Sequence, residues 1–289
     1  MVQSKAIERN GIVMSENSIL DIEVMRGYVR MCNDGWLQGW HERNGGNFTY
    51  RMKEKEILEC RPFFQEIPGE WHAMGVCEKN LAGEYFITTG SGKFFRNVIL
   101  SPQDNIAIVE INGVGDSWRV VWGLEQGGMP TSEFPSHFMN HSVRKDATGG
   151  TNRVIYHAHT PNLIAMTFFL PLTDREFSRA LWQSATECPV VFPSGVGVVP
   201  WMVPGGTAIA RASSELMKEY DAIVWAHHGL FCAGPDFDIT FGLMHTIEKA
   251  AEIYVKVQSC GGAKQTICDD DLRAIARDFG VSINEKFLG

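Results

Sequence analysis

The stretch VIYHAHTP, residues 154–161, predicts a strand that leads directly into a helix. Its β-branched and aromatic residues favour a strand from Val154 to His159, and Pro161 occupies the position that proline prefers at the start of a helix. Residues two apart on a strand point to the same face, so His157 and His159 project together. This is the arrangement that a single metal ion requires, although two ordinary histidines near a strand end would show the same spacing.

The flanking sequence mixes further helices and strands. A helical spacing of apolar residues starts near Ser18, and Asn112-Gly113 suits the turn of a hairpin. Strands are predicted over 48–52, 85–89, 106–111, 118–122, 190–192, 196–199 and 222–228. Helices are predicted from Glu133 (capped by Thr131 or Ser132), from Pro161, from Asp236 or Asp238 to Gly261-Gly262, and over 270–279.

Strict alternation of strand and helix is absent, which predicts a mixed α/β domain with helices packed on a mixed sheet. We expect one domain over residues 18–289, preceded by a flexible N-terminal extension over residues 1–17. Residues 53–83 show no clear pattern.

Composition restricts the class of protein. The 289 residues carry a net charge of −8, which argues against nucleic acid or an anionic membrane as the main partner. The apolar runs are too short to span a bilayer, and the N-terminus does not resemble a secretory signal. Seven cysteines, an odd number without a CxxC pair, fit a reducing cytoplasm better than a disulfide framework.

A third histidine could complete a metal site. His227 and His228 end the predicted strand over 222–228, and adjacent strand residues point to opposite faces, so only one of them can join His157 and His159. Three imidazoles with an open fourth position are typical of catalytic rather than structural zinc. The remaining histidines are interpreted as surface or satisfied core residues: His41, His72, His137, His141 and His245.

Proton transfer beside such a metal would need another group, for which Glu133 and Glu187 are the candidates. The position of Glu133 in a first helical turn has a structural explanation as well, because the helix dipole favours an acidic residue there.

Two glycine-rich loops, NGGN (residues 44–47) and TTGSGK (residues 88–93), offer backbone N–H groups that could bind an anion. Either could equally be a plain turn. The second is not a nucleotide-binding P-loop, because Ile87 and Phe94 stand where that motif requires Gly and Ser or Thr. A nucleotide cofactor is therefore not indicated.

Taken in order, the motifs NGGN, TGSGKFFRN, PTSE, HAH, TECPVVFPSGVG, PWMVPGG and HHG resemble the class II aldolases of sugar phosphates. The resemblance covers roughly residues 20–285. It implies a single domain with a central, largely antiparallel sheet covered by helices on both faces, assembled as a homotetramer with sites near the subunit interfaces. It also implies metal-dependent cleavage of a phosphorylated ketose, with one Zn²⁺ per subunit, although three imidazoles suit several transition metals.

Carried over by position, the resemblance makes His157, His159 and His228 the metal ligands. Glu133 becomes the catalytic acid–base group, and Glu187 a second group that assists proton transfer on the aldehyde side. The implied phosphate-binding residues are Asn44, Gly46, Asn47, Thr89, Gly90, Ser91 and Gly92.

Several alternatives remain open at this stage. A sugar-phosphate 4-epimerase of the same superfamily uses a similar site but recombines the fragments. Specificity for fuculose phosphate is disfavoured by the chain length and by Trp201-Met202. A non-enzymatic, adducin-like protein would be expected to lose metal ligands, and a metal hydrolase fits the ligands alone. Lys93 is the lysine that a Schiff-base mechanism would use.

Overall fold

The computed structural model describes residues 18–289, so the predicted extension over residues 1–17 lies outside the described residues. The helices are α1 (Glu23–Leu37), α2 (Glu54–Cys60), α3 (Phe95–Val98), α4 (Pro102–Asn105), α5 (Phe134–Ala147), α6 (Pro161–Met166), α7 (Asp174–Trp182), α8 (Cys188–Val191), α9 (Thr207–Leu216), α10 (Phe237–Ser259) and α11 (Asp269–Phe279). The strands are β1 (Asn47–Arg51), β2 (His72–Ala73), β3 (Tyr85–Thr89), β4 (Ile106–Ile111), β5 (Ser117–Gly123), β6 (Val154–Ala158), β7 (Gly197–Val199), β8 (Ala222–Trp225) and β9 (Gly229–Gly234). Four short 3₁₀ segments cover Ile19–Asp21, Arg61–Phe63, Lys79–Leu81 and Glu285–Phe287.

Within residues 18–289 the strands form one sheet in the order β2-β5-β4-β3-β1-β6-β9-β8-β7. Neighbouring strands are antiparallel except β7 and β8, which are parallel at one edge. The predicted mixed α/β fold with a largely antiparallel sheet is therefore confirmed.

Helices cover both faces of the sheet, and the alternation along β1 shows how. Phe48 stacks on Tyr28 of α1 at a centroid distance of 4.1 Å, and Tyr50 packs on Phe237 of α10 at 4.8 Å. Thr49, which points to the opposite face, instead bonds to histidines of α5. The period of two in a strand thus separates an aromatic face from a polar face.

A small apolar cluster holds α5 against strands β3 and β5. Phe134 and Phe138 of α5 pack with Phe86 and Trp118, and all four side chains are buried. Burying one such side chain stabilises the fold by about 1.5–3 kcal/mol. This packing fixes the N-terminal end of α5, where Glu133 lies.

Strand register brings the predicted motifs to one end of the sheet, where several strands begin or finish. Asn47 pairs with His157, and Ala158 pairs with Leu230. Because β1 is also antiparallel to β3, the loop before β1 adjoins the loop that follows Thr89. Both glycine-rich loops, the end of β6 and the β8–β9 turn are therefore neighbours.

Two predicted strands differ from the structure. Residues 190–192 were predicted as a strand, but Cys188–Val191 is helical, because Pro189 lacks an N–H and fits a first helical turn. The strand predicted over 222–228 ends at Trp225, and the chain turns through His227, which has a φ of 61°.

Other boundaries and elements also differ from the prediction. Strand β6 ends at Ala158 rather than His159. Helix α5 begins at Phe134, so that Glu133 is its N-cap rather than its first residue. Helices α2, α3, α4, α7 and α9 were not predicted.

Among the helices of residues 18–289, none is both long enough and apolar enough to cross a bilayer.

Candidate metal centre

Three imidazoles converge at the end of β6. His157, His159 and His228 each place a ligand nitrogen within 4.8 Å of the others. Their ring centroids are 4.9–5.2 Å apart, and Nε2 of His157 lies 3.4 Å from Nε2 of His228. An ion held tetrahedrally about 2.0–2.1 Å from two nitrogens would place them about 3.3 Å apart. The donor set therefore fits a transition-metal ion in its chemistry, and the His157–His228 pair also fits in its spacing.

Hydrogen bonds at Nδ1 orient two of these rings. Nδ1 of His157 lies 3.1 Å from the carbonyl oxygen of Leu230, and Nδ1 of His159 lies 2.6 Å from Oε1 of Glu42. Each Nδ1–H can donate to its oxygen, which leaves the lone pair of Nε2 for a metal. Such partners fix the tautomer of metal-binding histidines and raise their basicity.

The surroundings keep the first imidazole neutral. Burial lowers the pKa of His157 well below its ordinary value, and the nearby His228 and His159 add to this effect. Burial, with His159, lowers the pKa of His228 to about 4. Phe231 stacks on His157 at a centroid distance of 4.1 Å and closes one side of the cluster. Neutral imidazole is the form that binds metals.

Close backbone approach explains two glycines beside the cluster. A Cβ at Gly229 would lie 2.4 Å from the carbonyl oxygen of Ala158, and one at Gly46 would lie 2.7 Å from that of His157. Gly46 also has a φ of 74°, which other residues rarely adopt. Any side chain at either position would push the loop or the turn away from β6.

Glu133 lies at the same end of the sheet, on the face that α5 covers. Its Oε2 accepts a hydrogen bond from Nδ2 of Asn47 at 2.8 Å. Burial raises the pKa of Glu133, while the Asn47 bond and the charge of His159 act in the opposite direction. A partly buried carboxylate with a raised pKa suits proton transfer near neutral pH.

The predicted phosphate loops meet beside Glu133 but use part of their donor capacity internally. The N–H groups of Gly90 and Ser91 donate to the carbonyls of Asn105 and Met129, and the Thr89 hydroxyl accepts from the N–H of Phe48. The exposed residues Asn44, Ser91 and Gly92 remain open to solvent. The side chain of Asn47 is not exposed in this way, since it is occupied by Glu133.

Residues 26–255 match the family described as the class II aldolase and adducin N-terminal domain, which is well over half of the chain. The chain belongs to this class II aldolase and adducin family. The rhamnulose-1-phosphate aldolase of Pectobacterium atrosepticum is 46% identical over 271 residues, which covers 94% of this chain and 98% of that relative. The protein of the same name from Listeria monocytogenes serotype 4b is 45% identical, with 93% of this chain and 98% of the relative covered.

Solved structures give the same class II aldolase fold. A sugar-phosphate aldolase from Thermotoga maritima superimposes with a TM-score of 0.69 at 25% identity, covering 83% of this chain and 97% of that one. An L-fuculose 1-phosphate aldolase superimposes with a TM-score of 0.58 at 18% identity, covering 89% and 96%. The second likeness concerns the fold alone.

Two residues that the sequence offered as candidates for the site of this class II aldolase, Glu187 and His227, lie away from the three-histidine cluster. Glu187 lines a surface depression with His245 and Lys249, and within residues 18–289 no hydrogen bond or ion pair joins it to the three histidines or to Glu133. His227 turns outward, where its ring contacts that of Phe168 at a centroid distance of 4.4 Å and bonds to Thr167.

The other histidines divide into buried and exposed groups. His41, His137 and His141 are buried with hydrogen-bond partners, as expected for satisfied core residues. His72 lies on the edge strand β2 and stacks on Trp118 of β5, and His245 is exposed on α10.

Sequence reasoning missed Glu42, because no local pattern marks it as a partner of His159. It also missed the bond between Asn47 and Glu133, which depends on how β1 packs against α5.

Proposed function

We propose that the protein is a zinc-dependent L-rhamnulose-1-phosphate aldolase of rhamnose catabolism. It would cleave L-rhamnulose 1-phosphate reversibly to dihydroxyacetone phosphate and L-lactaldehyde. The observation that carries this proposal is a three-histidine cluster with a neighbouring carboxylate, in a chain 46% identical over almost its whole length to a relative of that name. The motifs SGKFFRN and PWMVPG, at residues 91–97 and 200–205, resemble that aldolase more closely than the generic family signature does.

The proposed ligands are His157, His159 and His228. A bound metal supplies Lewis-acid stabilisation of the negative charge that develops on the dihydroxyacetone phosphate half of the substrate. Zn²⁺ is the proposed ion, one per subunit, because three imidazole ligands with an open fourth position are typical of catalytic zinc.

Glu133 is proposed to move the proton at the carbon of dihydroxyacetone phosphate that reacts. In cleavage its carboxyl group protonates that carbon, and in condensation its carboxylate removes the same proton. Asn47 holds one carboxylate oxygen of Glu133, which leaves the other for the substrate.

The two glycine-rich loops are proposed to hold the substrate phosphate. Asn44, Ser91 and Gly92 offer exposed donors, whereas Gly90 and Thr89 shape the loop through their internal bonds. Gly46 allows the first loop to lie against β6. Fixing the phosphate positions the bond to be cleaved, which is worth a large part of the rate enhancement in such enzymes.

Glu187 is proposed to assist proton transfer at the hydroxyl that becomes the aldehyde. Because it does not contact the cluster within one chain, this role depends on assembly of subunits. We propose a homotetramer with sites near the interfaces. Exposed apolar side chains near the metal end of the sheet, Phe168 and Trp201 at 72% and 62% exposure, support a covered surface there.

A cytoplasmic location is proposed from the cysteines. Each of the seven is a free thiol in the structure, as a reducing compartment would maintain. The substrate is a phosphorylated metabolite, which agrees with that compartment. No nucleic acid or membrane partner is proposed.

The experiment that tests this function is a coupled assay of dihydroxyacetone phosphate release, with and without chelator. L-Rhamnulose 1-phosphate and L-fuculose 1-phosphate are compared in parallel. The proposal predicts chelator-sensitive cleavage with a clear preference for the rhamnulose substrate. Cleavage that persists after metal removal would exclude the metal mechanism, and substrate consumed without release of free aldehyde would indicate a 4-epimerase instead.

A further inference from the structure

A chain of buried polar side chains lies behind Glu133. It runs from His141 through Thr49, His137 and Asn47 to the carboxylate, and none of these four residues is more than 6% exposed. We infer that His137 is a positioning residue for Glu133, which it serves by fixing the orientation of the Asn47 side-chain amide. This inference rests on the proposed function of Glu133.

The contacts are continuous. Nε2 of His137 is in close hydrogen-bond contact with Oδ1 of Asn47, and Nδ2 of Asn47 donates to Glu133 at 2.8 Å. On the other side, Nδ1 of His137 lies 2.8 Å from the hydroxyl of Thr49. Nε2 of His141 lies 2.9 Å from the same hydroxyl. Asn47 is thus held at both ends of its amide.

One protonation pattern satisfies every member of this chain. Burial lowers the pKa of His137 to about 3, so the ring is neutral and carries one N–H and one lone pair. If Nε2 carries the hydrogen, it donates to Oδ1 of Asn47, and the amide NH₂ group must then face Glu133. The Thr49 hydroxyl donates to Nδ1 of His137 while accepting from His141.

The opposite tautomer of His137 would turn the Asn47 amide the other way. The carbonyl of Ile155 is a competing acceptor for the ring of His137. If Nδ1 carried the hydrogen, Nε2 would need a donor, and the Asn47 amide would rotate to supply its NH₂ group. Oδ1 of Asn47 would then face the carboxylate of Glu133, where two acceptors repel each other. The Thr49 hydroxyl, donating to Nδ1, disfavours this state.

The positions of these side chains on β1 and α5 explain why they line up. Asn47 and Thr49 are two residues apart on β1 and point to the same face, towards α5. His137 and His141 are four residues apart on α5, and therefore lie on the same side of the helix. Glu133 precedes His137 by the same interval. The register of one strand against one helix thus aligns all five side chains.

Three substitutions and one control separate positioning from packing. His137→Phe keeps the ring that lies 5.5 Å from Phe231 but removes the hydrogen bond to Asn47. His137→Gln is the conservative variant, since its amide can place a donor near the former Nε2. Thr49→Val is nearly isosteric and removes only the hydroxyl. His72→Phe is the control, because His72 lies on the edge strand β2 and, within residues 18–289, makes no hydrogen bond to Glu133 or to the four side chains behind it.

The assay measures exchange of the reacting hydrogen of dihydroxyacetone phosphate with deuterium from D₂O, in the absence of any aldehyde. It isolates the step assigned to Glu133 and does not depend on which ketose is the natural substrate. Zinc content, the apparent KM for dihydroxyacetone phosphate and the thermal midpoint are measured on the same samples.

We expect His137→Phe to exchange about 10- to 100-fold more slowly, with zinc content and KM close to wild type. His137→Gln should recover most of the rate, Thr49→Val should fall between the two, and His72→Phe should match wild type. Equal exchange by wild type and both His137→Phe and Thr49→Val would overturn the positioning role while leaving the aldolase function in place. If the zinc content and the exchange rate fell together and KM rose in all three variants, the role of His137 would be merely structural. If wild type cleaved no ketose and exchanged no hydrogen, the proposed function itself would be wrong, and the role of His137 with it.

Discussion

At the scale of single residues, two adjacent histidines in the β8–β9 turn point in different directions. His228 joins the cluster, whereas His227, with a φ of 61°, contacts Phe168 and Thr167. The sequence predicts that only one of the pair can face His157, on the assumption that both residues lie on a strand. The separation arises instead from a turn with one residue in the left-handed region.

This difference predicts opposite results from one substitution at neighbouring positions. His228→Asn should remove a ligand, so that bound zinc and cleavage both fall to near background. His227→Asn should retain both, because asparagine tolerates positive φ and the residue lies outside the cluster. Zinc per chain after dialysis, measured by mass spectrometry of the metal, checks both variants. Zinc retained by His228→Asn but lost from His227→Asn would reverse the assignment.

Glu42 gives a second prediction at this scale. Its carboxylate lies 2.6 Å from Nδ1 of His159 and should hold that ring in the tautomer that exposes Nε2. We expect Glu42→Ala to weaken zinc affinity by about 10- to 100-fold, with Glu42→Gln weakened less because its amide oxygen can still accept the hydrogen bond. Competition with a chromophoric chelator measures the affinity. Unchanged affinity in Glu42→Ala would show that the exposed carboxylate contributes nothing to the site.

At the scale of elements, helix α6 begins directly after the segment that carries His157 and His159. Its N-cap, Thr160, makes no side-chain capping bond, and the first N–H groups donate instead to the buried carboxylate of Glu248 on α10. Asn162 also donates to Glu248 through its side chain at 2.8 Å. A distant helix therefore fixes the path of the chain as it leaves His159.

Removal of this carboxylate should destabilise the fold. We expect Glu248→Ala to lower the free energy of unfolding by about 2 kcal/mol, since several charge-assisted hydrogen bonds lose their acceptor. Glu248→Gln keeps one acceptor oxygen and should lose less. Urea denaturation compares the three proteins. If Glu248→Ala unfolded at the same urea concentration as wild type, α6 would have to be capped by other means.

Elements with strong local signals could be predicted from the sequence, and those with weak ones could not. The β4–β5 hairpin and α10 were predictable because Asn112-Gly113 and Asp236 mark a turn and a cap. Strand periodicity also predicted that His157 and His159 share a face. The helical segment around Pro189 was missed because four apolar residues suit a short helix and a strand equally well.

The contacts that complete the site lay beyond local patterns. The bond between Asn47 and Glu133 depends on the packing of β1 against α5, and the Glu42–His159 contact joins residues 117 apart in sequence. Neither has a spacing that a single sequence could reveal. The resemblance to class II aldolases supplied Glu133 and His228, whereas geometry supplied their partners.

At the scale of the whole molecule, buried neutral histidines should make stability dependent on pH. Burial lowers the pKa of His41 and of His137 to about 3, and that of His141 well below its ordinary value of 6.5. The unfolded chain therefore takes up protons before the folded protein does. The stabilisation is complete above about pH 6.5 and is lost as the pH falls, by about 1.4 kcal/mol per pH unit for each histidine.

Metal-free protein should accordingly lose stability between about pH 7 and about pH 5. The raised pKa values of Glu133 and Glu248 act in the opposite sense, but these two groups titrate from a lower ordinary value. In metal-free protein the lowered pKa values of His157 and His228 add to the effect of the three other histidines. Urea midpoints across this range, measured with chelator present, check the prediction. A constant midpoint would mean that the buried rings do not remain neutral in the folded state.

We propose that one metal ion per chain, bound by His157, His159 and His228, supports cleavage of L-rhamnulose 1-phosphate. The most direct test is titration of metal-free protein with Zn²⁺ while the release of dihydroxyacetone phosphate is followed. We predict that the initial rate rises linearly and then stops rising at one equivalent of zinc per chain. Full activity before any metal is added, or no activity after saturation with zinc, would contradict the claim.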